Sequence, residues 1–511
     1  MLSKVKSCGL IGIDGYVIEV ETDISSGIPA VDIVGLGDIA VRESRERVKS
    51  AIKNSGFEFP TRKITINLAP ANMRKEGSSL DLPIAMGILA ASGQIDITHI
   101  DEYIFLGELS LDGSVKSVNG VLSMALCANE HGIKSVVLPH ENADEAAIVR
   151  EIEVLPINNL TEIAQHINGL KKLNIHTVNI EAIMNETGIF NIDFADVKGQ
   201  TNVKRALEVA AAGAHNCIMI GSPGSGKSMI AKRLPGILPS MTFEEAIEVT
   251  KIHSISGKLP GRTSLMTTRP FRSPHHTISD ISLIGGGRIP KPGEISLANY
   301  GVLFLDEVPE FSKEALEVLR QPLEDGIVTV SRINSSIRYP AKTMLVLAAN
   351  PCRCGNYLDP DKLCTCTSRQ VQQYMGKISG PLLDRLDIHI EVSSVKFNEL
   401  QNIKAEENSK SIRERVNKAR NIQINRYKGL NIYANSQLEP SMLNKFCRID
   451  DKSRGLLRSA FEKLGLSARA HSRILKVSRT IADIDGSEEI KLVHIAEAIQ
   501  YRSLDRRFIE K

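Results

Sequence analysis

Asn216-Cys217-Ile218-Met219-Ile220, Gly221-Ser222-Pro223-Gly224-Ser225-Gly226-Lys227-Ser228 and Met229-Ile230-Ala231-Lys232-Arg233-Leu234 follow one another without a break. The first run is apolar and reads as a buried strand, and the last starts a helix. The octet between them fits G-x-x-x-x-G-K-[ST] at every position. Glycines let backbone N–H groups turn inward around phosphate oxygens, and the helix N-terminus adds the positive end of its dipole. Lys227 supplies charge for β- and γ-phosphate oxygens, and the Ser228 hydroxyl is a ligand for Mg²⁺. With strand, loop and helix in this order, the octet predicts a site for ATP and Mg²⁺ in an α/β sheet domain rather than a chance glycine-rich loop.

Further along lies Gly301-Val302-Leu303-Phe304-Leu305-Asp306-Glu307, an apolar strand ending in two acids. An open parallel sheet collects its ligand at the carboxyl ends of its strands. Asp306 is placed to hold Mg²⁺ through water, and Glu307 to polarise the attacking water. A solvated strand end is the plainer reading of such a pair, but about 80 residues after a phosphate loop it is the weaker one. Met344-Leu345-Val346-Leu347-Ala348-Ala349 is a third apolar strand, ending in Asn350. Asn350 can hydrogen-bond the γ-phosphate or the water, or simply terminate the strand.

At 511 residues the chain is too long for one core, and roughly three domains are expected. Aromatics make up 4% and Trp is absent, so burial must rest on Leu, Ile, Val and Ala. The net charge of +3 neither demands nor excludes a polyanionic partner, so any basic surface must be local. The N-terminus lacks the long apolar core of a signal peptide, and no uninterrupted apolar run is long enough for a membrane span. The expected location is cytoplasmic. Of eight cysteines, Cys8, Cys127, Cys217 and Cys447 stand apart and read as small buried hydrophobes. Cys352, Cys354, Cys364 and Cys366 crowd together. Four thiolates can satisfy Zn²⁺ tetrahedrally and close a loop that has no core of its own. The C-x-C spacing is tighter than the usual C-x-x-C, so reduced free thiols or a redox pair stay open beside zinc.

Residues 1–170 alternate β-branched runs (Tyr16 to Glu21, Lys63 to Asn67, Tyr103 to Glu108, Ser135 to Leu138) with helical stretches (Ala40 to Asn54, Leu82 to Ala91, Ser123 to Glu130), an α+β pattern with its own core. A less regular linker, 171–193, leads into the nucleotide-binding α/β domain, 194–395. A basic helical connector occupies 396–438, with Lys410, Arg413, Arg415, Lys418, Arg420, Arg426 and Lys428 against Glu414. Residues 439–511 show helical periodicity in Leu456 to Leu464, Arg473 to Ile484 and Leu492 to Ile499, a small bundle.

Ser273-Pro274-His275-His276-Thr277, Leu283-Ile284-Gly285-Gly286-Gly287, Pro292-Gly293-Glu294-Ile295-Ser296-Leu297-Ala298 and the stretch Gly301 to Phe311 closely resemble the magnesium-chelatase-like AAA+ ATPases, and among them the ComM (YifB) group of bacterial competence proteins. The resemblance runs through the whole chain. It implies a multidomain α/β architecture: an N-terminal domain like those of Lon proteases and ribosomal protein S5, a central AAA+ sheet domain, and a C-terminal helical lid. On Ser379-Gly380-Pro381-Leu382-Leu383-Asp384-Arg385-Leu386-Asp387 it places an arginine finger, Arg385, that reaches the γ-phosphate of a neighbouring subunit; an internal salt bridge to Asp384 or Asp387 is the structural alternative. A finger acting in trans implies a homo-oligomeric ring, usually a hexamer. On Ser467-Ala468-Arg469-Ala470-His471-Ser472-Arg473 it places the second sensor, with Arg469 the better match and Arg473 one turn on. It also implies an insert between Lys258 and Ala298 facing a ring pore, and a hairpin (Ile327 to Val330, Ile337 to Ala341) around Asn334-Ser335-Ser336. Arg332 and Arg338 flank that hairpin's tip and are candidate DNA contacts, a solvated charged hairpin being an equal reading. The basic helix reads first as a solvated face or subunit contact and second as a DNA contact. The His275-His276 pair reads as structural, since adjacent residues share one metal ion poorly.

Residues 61–145 resemble Lon-type domains. Gly77-Ser78-Ser79-Leu80-Asp81 puts Ser79 in the nucleophile register, but Leu122 falls where Lon carries its catalytic Lys, and Lys116 is out of register. Leu takes no proton, so a non-proteolytic domain is expected, used for ring assembly or DNA. The resemblance as a whole implies a hexameric ATP-driven motor on branched or single-stranded DNA, a helicase for branch migration in natural transformation. A chelatase-like ATPase remodelling a protein partner is the alternative, though no integrin-like domain is present. A Lon-like ATP-dependent protease is disfavoured by Leu122, and a non-enzymatic scaffold by Lys227, Asp306 and Glu307.

Overall fold

The computed structural model describes residues 1–502 except 76, 186–191, 261–262, 288–289, 333–334, 358, 360–361, 395–405 and 431. The chain forms two compact units, Met1–Glu186 with Phe243–Met266, and Thr187–Thr242 with Thr267–Lys511.

The first unit is built on a seven-stranded sheet of β1 (Leu2–Ile11), β2 (Asp14–Ser25), β3 (Ala30–Val34), β4 (Lys63–Ala69), β5 (Tyr103–Phe105), β6 (Ser135–Pro139) and β7 (Glu153–Ile157), in the order β3-β4-β2-β1-β5-β6-β7. β1 and β2 pair antiparallel with Val5 opposite Val20, whereas β5, β6 and β7 run parallel. Alternation decides which face is buried: Ile64, Ile66 and Leu68 of β4 point into the core while Lys63 is exposed. Helix Ile39–Asn54 starts where Asp38 accepts the N–H of Val41. Helix Asp81–Ala91 is buried at every residue, and its one acid, Asp81, is held by a two-pronged contact from Arg47 at 2.7 and 3.0 Å.

The nucleotide-binding stretch read from the sequence ran straight through 194–395. In the structure Phe243–Met266 leaves it and folds into the first unit. Ala246, Val249 and Ile252 of helix Phe243–Ile255 are buried there, and Ser254 Oγ donates to Glu145 (2.5 Å) while accepting from the N–H of Gly120 (2.8 Å). Lys251 reaches Asp14 at 2.8 Å. Its apolar and polar residues are not sorted onto opposite faces, and Glu245, Thr250 and His253 are buried, so its sequence does not show which core it serves.

The second unit holds a five-stranded parallel sheet of β8 (Cys217–Ile220), β9 (Phe271–Arg272), β10 (Val302–Leu305), β13 (Met344–Ala349) and β14 (Ile388–Glu391), in the order β9-β10-β13-β8-β14. Between β10 and β13 an antiparallel hairpin of β11 (Ile327–Arg332) and β12 (Ser335–Pro340) is inserted. Every residue of β8, β10 and β13 is buried, as strands covered on both faces must be. Helices Asp451–Leu464, Ala468–Ile484 and Leu492–Gln500 follow the sequence periodicity, and Ile474, Ile481 and Ile495 join the same apolar core as Met219, Phe304 and Val346.

Candidate active site

In the strand order β10, β13 and β8 are immediate neighbours and parallel, so their carboxyl ends emerge side by side. Those ends carry Asp306-Glu307, Asn350 and the glycine octet. Gly224 and Gly226 adopt φ of +79° and +91°, left-handed values that a side chain resists. A methyl group on Gly221 would lie 2.1 Å from the carbonyl oxygen of Val392.

Lys227 is buried, and its ammonium donates to the carbonyls of Gly221 (2.7 Å) and Ser222 (3.0 Å) and to Asn350 Oδ1 (3.2 Å). Burial draws its pKa below the ordinary lysine value, and the charges of Asp306 and Glu307 pull it back up. The Ser228 hydroxyl donates to Asp306 Oδ2 at 2.5 Å. Two hard oxygen donors this close, beside a lysine awaiting phosphate charge, suit Mg²⁺. Glu307 is exposed and takes φ +51°, a left-handed conformation rare for a glutamate. Tyr374, from helix Ser368–Met375, is buried; burial first, then the charges of Glu310 and Glu307, push its hydroxyl up to about 12. Sequence reasoning missed Tyr374, because the acids whose charge it feels, Glu307 and Glu310, stand on another element.

Arg385 is 7% exposed and donates to Pro381 O at 2.6 Å and to Glu324 of helix Arg320–Asp325. It does form an internal salt bridge, but to neither Asp384 nor Asp387. Asp387 is already occupied: Arg473 donates to it at 2.6 Å and His215 contacts it at 3.0 Å. Burial alone would raise the pKa of Asp387; Arg473 and His215 outweigh it and hold the carboxyl well below its ordinary range. Among the described residues Arg469 is exposed and unpaired, and its charge is felt at Arg385. Of the two lid arginines, Arg473 is therefore a structural partner and Arg469 the free cation.

The sulfurs of Cys352, Cys354, Cys364 and Cys366 lie within 4.8 Å of one another, with separations of 3.3, 3.7 and 3.5 Å among the first three. A zinc–thiolate tetrahedron with bonds of about 2.3 Å has edges of about 3.8 Å. All eight cysteines are free, and Cys8, Cys127, Cys217 and Cys447 are buried as expected.

Arg338 is exposed on the hairpin opposite Thr329; the side chain of Arg332 and the tip at Asn334 lie outside the described residues. The basic helix, Ser409–Arg426, is less available than its composition suggests. Arg415 pairs with Glu208 and Glu407, Arg420 is buried on the carbonyls of Ala211 and Ala212, and Arg426 pairs with Asp483. Lys410 and Lys418 remain exposed. His275 and His276 stack at 4.0 Å beside a 440 Å³ cavity bordered by Arg272 and Glu294.

In the first unit the Ser79 hydroxyl makes no hydrogen bond among the described residues, while Ser78 donates to Glu108. Leu122 is fully buried, and Lys116 is exposed.

Three family profiles match the chain: "Subunit ChlI of Mg-chelatase" over residues 20–142, "Magnesium chelatase, subunit ChlI" over 193–400 and "Magnesium chelatase, subunit ChlI C-terminal" over 406–502. Competence protein ComM of Haemophilus influenzae is 43% identical over 508 residues, 99% of this chain and 98% of that protein. YifB of Escherichia coli is 41% identical over 509 residues, with the same coverage. The 38 kDa magnesium-chelatase subunit of Rhodobacter capsulatus is 27% identical over 220 residues, 39% of this chain and 56% of that one. On the full-length likeness and the assembled phosphate site together, the chain belongs to the ComM/YifB family of magnesium-chelatase-like AAA+ ATPases.

Proposed function

We propose that this ATPase works in the cytoplasm as a homohexameric ring that couples ATP hydrolysis to remodelling of branched or single-stranded DNA, as a branch-migration helicase. The convergence of Lys227, Ser228, Asp306 and Asn350 at three adjacent strand ends supports the hydrolytic half. The DNA half rests on likeness along the full chain to a protein named for competence, with Arg338 exposed on the inserted hairpin in its support.

Within one protomer the octet binds the triphosphate, and Lys227 leaves its carbonyl partners for phosphate oxygens. Mg²⁺ held by Ser228 and Asp306 would neutralise charge between the β- and γ-phosphates. Glu307 takes the proton of the attacking water, and Asn350, beside Lys227, orients that water. Arg385 serves the site of the next protomer and exchanges Glu324 for the γ-phosphate when the ring forms. Arg469 senses nucleotide from the lid. Arg332 and Arg338 contact DNA. Cys352, Cys354, Cys364 and Cys366 hold structural Zn²⁺. The first unit is non-proteolytic, since Ser79 has no base.

ATP turnover measured with and without four-way or forked DNA, beside ATP-driven strand exchange and a Lys227→Ala control, tests this reading. DNA stimulation and branch movement that vanish in the variant are expected; turnover indifferent to DNA, with no strand exchange, removes the DNA half and leaves the ATPase.

A further inference from the structure

The cysteine loop springs directly from the ATP site, Cys352 following Asn350 by one proline. Cys352 is fully buried and the other three thiols half-exposed, so the cluster runs from the site toward solvent. Gly355, the residue after the first ligand pair, takes φ +83°, and its N–H closes a turn on Cys352 O at 3.0 Å. A methyl group on Gly355 would lie 2.3 and 2.5 Å from Cδ and Cγ of Pro223. The loop backbone therefore rests on the proline ring of the phosphate loop, and only a residue without a side chain allows that approach.

We propose that the four-cysteine loop is a metal-held strut for the phosphate loop: a thiophilic divalent cation on Cys352, Cys354, Cys364 and Cys366 keeps Gly355 seated on Pro223, and ATP affinity depends on that cation. This rests on the ATP-site reading and adds a control to it.

Among the described residues the loop has no large apolar side chain packed inside it. Its large apolar side chains point outward, Tyr357 at 46% and Leu363 at 88% exposure. What converges inside is sulfur, the four Sγ atoms lying within 4.8 Å of one another. Pro223 has no N–H to give a phosphate, so the strut touches the one octet residue that packing can hold without competing with ATP. Loosening it lets the neighbouring N–H donors of the octet wander, which costs binding because those donors must be placed before the anion arrives.

The test uses the full chain, zinc quantified by elemental analysis and a fluorescent ATP analogue titrated in excess Mg²⁺. Near-stoichiometric zinc is expected. Stripping it should weaken ATP binding by about tenfold, in the range for outer-shell losses, and zinc add-back should restore it. Gly355→Ala should keep its zinc yet bind ATP about tenfold more weakly. Protein purified without chelator that carries no zinc overturns the metal. Zinc-loaded Gly355→Ala with wild-type ATP affinity, or stripped protein that rebinds zinc without regaining ATP, overturns the strut. Wild-type protein that holds zinc but binds ATP no better than Lys227→Ala instead overturns the ATP-site reading.

Discussion

Glu307 sits in the left-handed region with an exposed side chain, at a backbone cost of about 1–3 kcal/mol that its N–H to Asp306 Oδ1 (2.9 Å) and the Glu310 N–H to its carbonyl (2.7 Å) help offset. Glu307→Gln should lower kcat by about a hundredfold or more while leaving ATP affinity within a few-fold, measured by turnover and equilibrium binding. The acidic pair could be read from the apolar run before it, because a strand end in a parallel sheet has few other uses for adjacent acids. The strain could not, since it belongs to dihedral angles. Glu324 was equally invisible, because its link to Arg385 joins residues far apart in sequence. Glu324 is half-exposed, so the pair is screened and contributes about 1 kcal/mol at most. Glu324→Gln should therefore leave thermal unfolding almost unchanged; a large loss of stability would make Arg385 a structural residue.

The helix Ala468–Ile484 is tied to the sheet by more than apolar contact. From Asp387 a chain of polar contacts runs through His215 and Thr480 to Asn435 and Asp483, where Arg426 and Arg479 close it. Removing one member of a buried pair leaves the other uncompensated, so Asp387→Asn should destabilise the second unit by about 3 kcal/mol, read by chemical denaturation. The pH dependence follows from the sign of the shift. The folded-state pKa of Asp387 is depressed, so its contribution is full above the unfolded value of about 3.9 and is lost as pH falls through the folded value. The gap between wild type and Asp387→Asn should stay constant near neutrality and narrow only below about pH 4. The helices themselves were readable from apolar spacing. The fate of their cations was not: Arg415, Arg420 and Arg426 looked like a basic surface, and each is engaged within the fold.

The proposed ring, its site completed from two protomers, has a testable arithmetic. Arg385→Ala protomers should bind ATP and not turn it over, and Lys227→Ala protomers should fail at binding. Mixed together, a Lys227→Ala protomer offers its intact Arg385 to an Arg385→Ala neighbour, and turnover should reappear well above either parent. No recovery on mixing would mean that Arg385 acts within its own chain. The motifs made the strand ends of the nucleotide site readable because phosphate chemistry tolerates few residue types, but not the extent of the unit, which Phe243–Met266 leaves. The first unit was readable as an α+β core but not in its extent, because one of its helices is encoded inside the other unit.

That interleaving makes the gene less modular than its family profiles suggest. Helix Phe243–Ile255 returns to the first unit from within the second, so the chain passes between the two units three times. A fragment ending at residue 186 would carry Glu145 without Ser254 and the first unit's core without Ala246, Val249 and Ile252. It should be poorly soluble unless residues 243–266 are grafted back. Neither unit can be exchanged by a single crossover, which favours inheriting the pair whole.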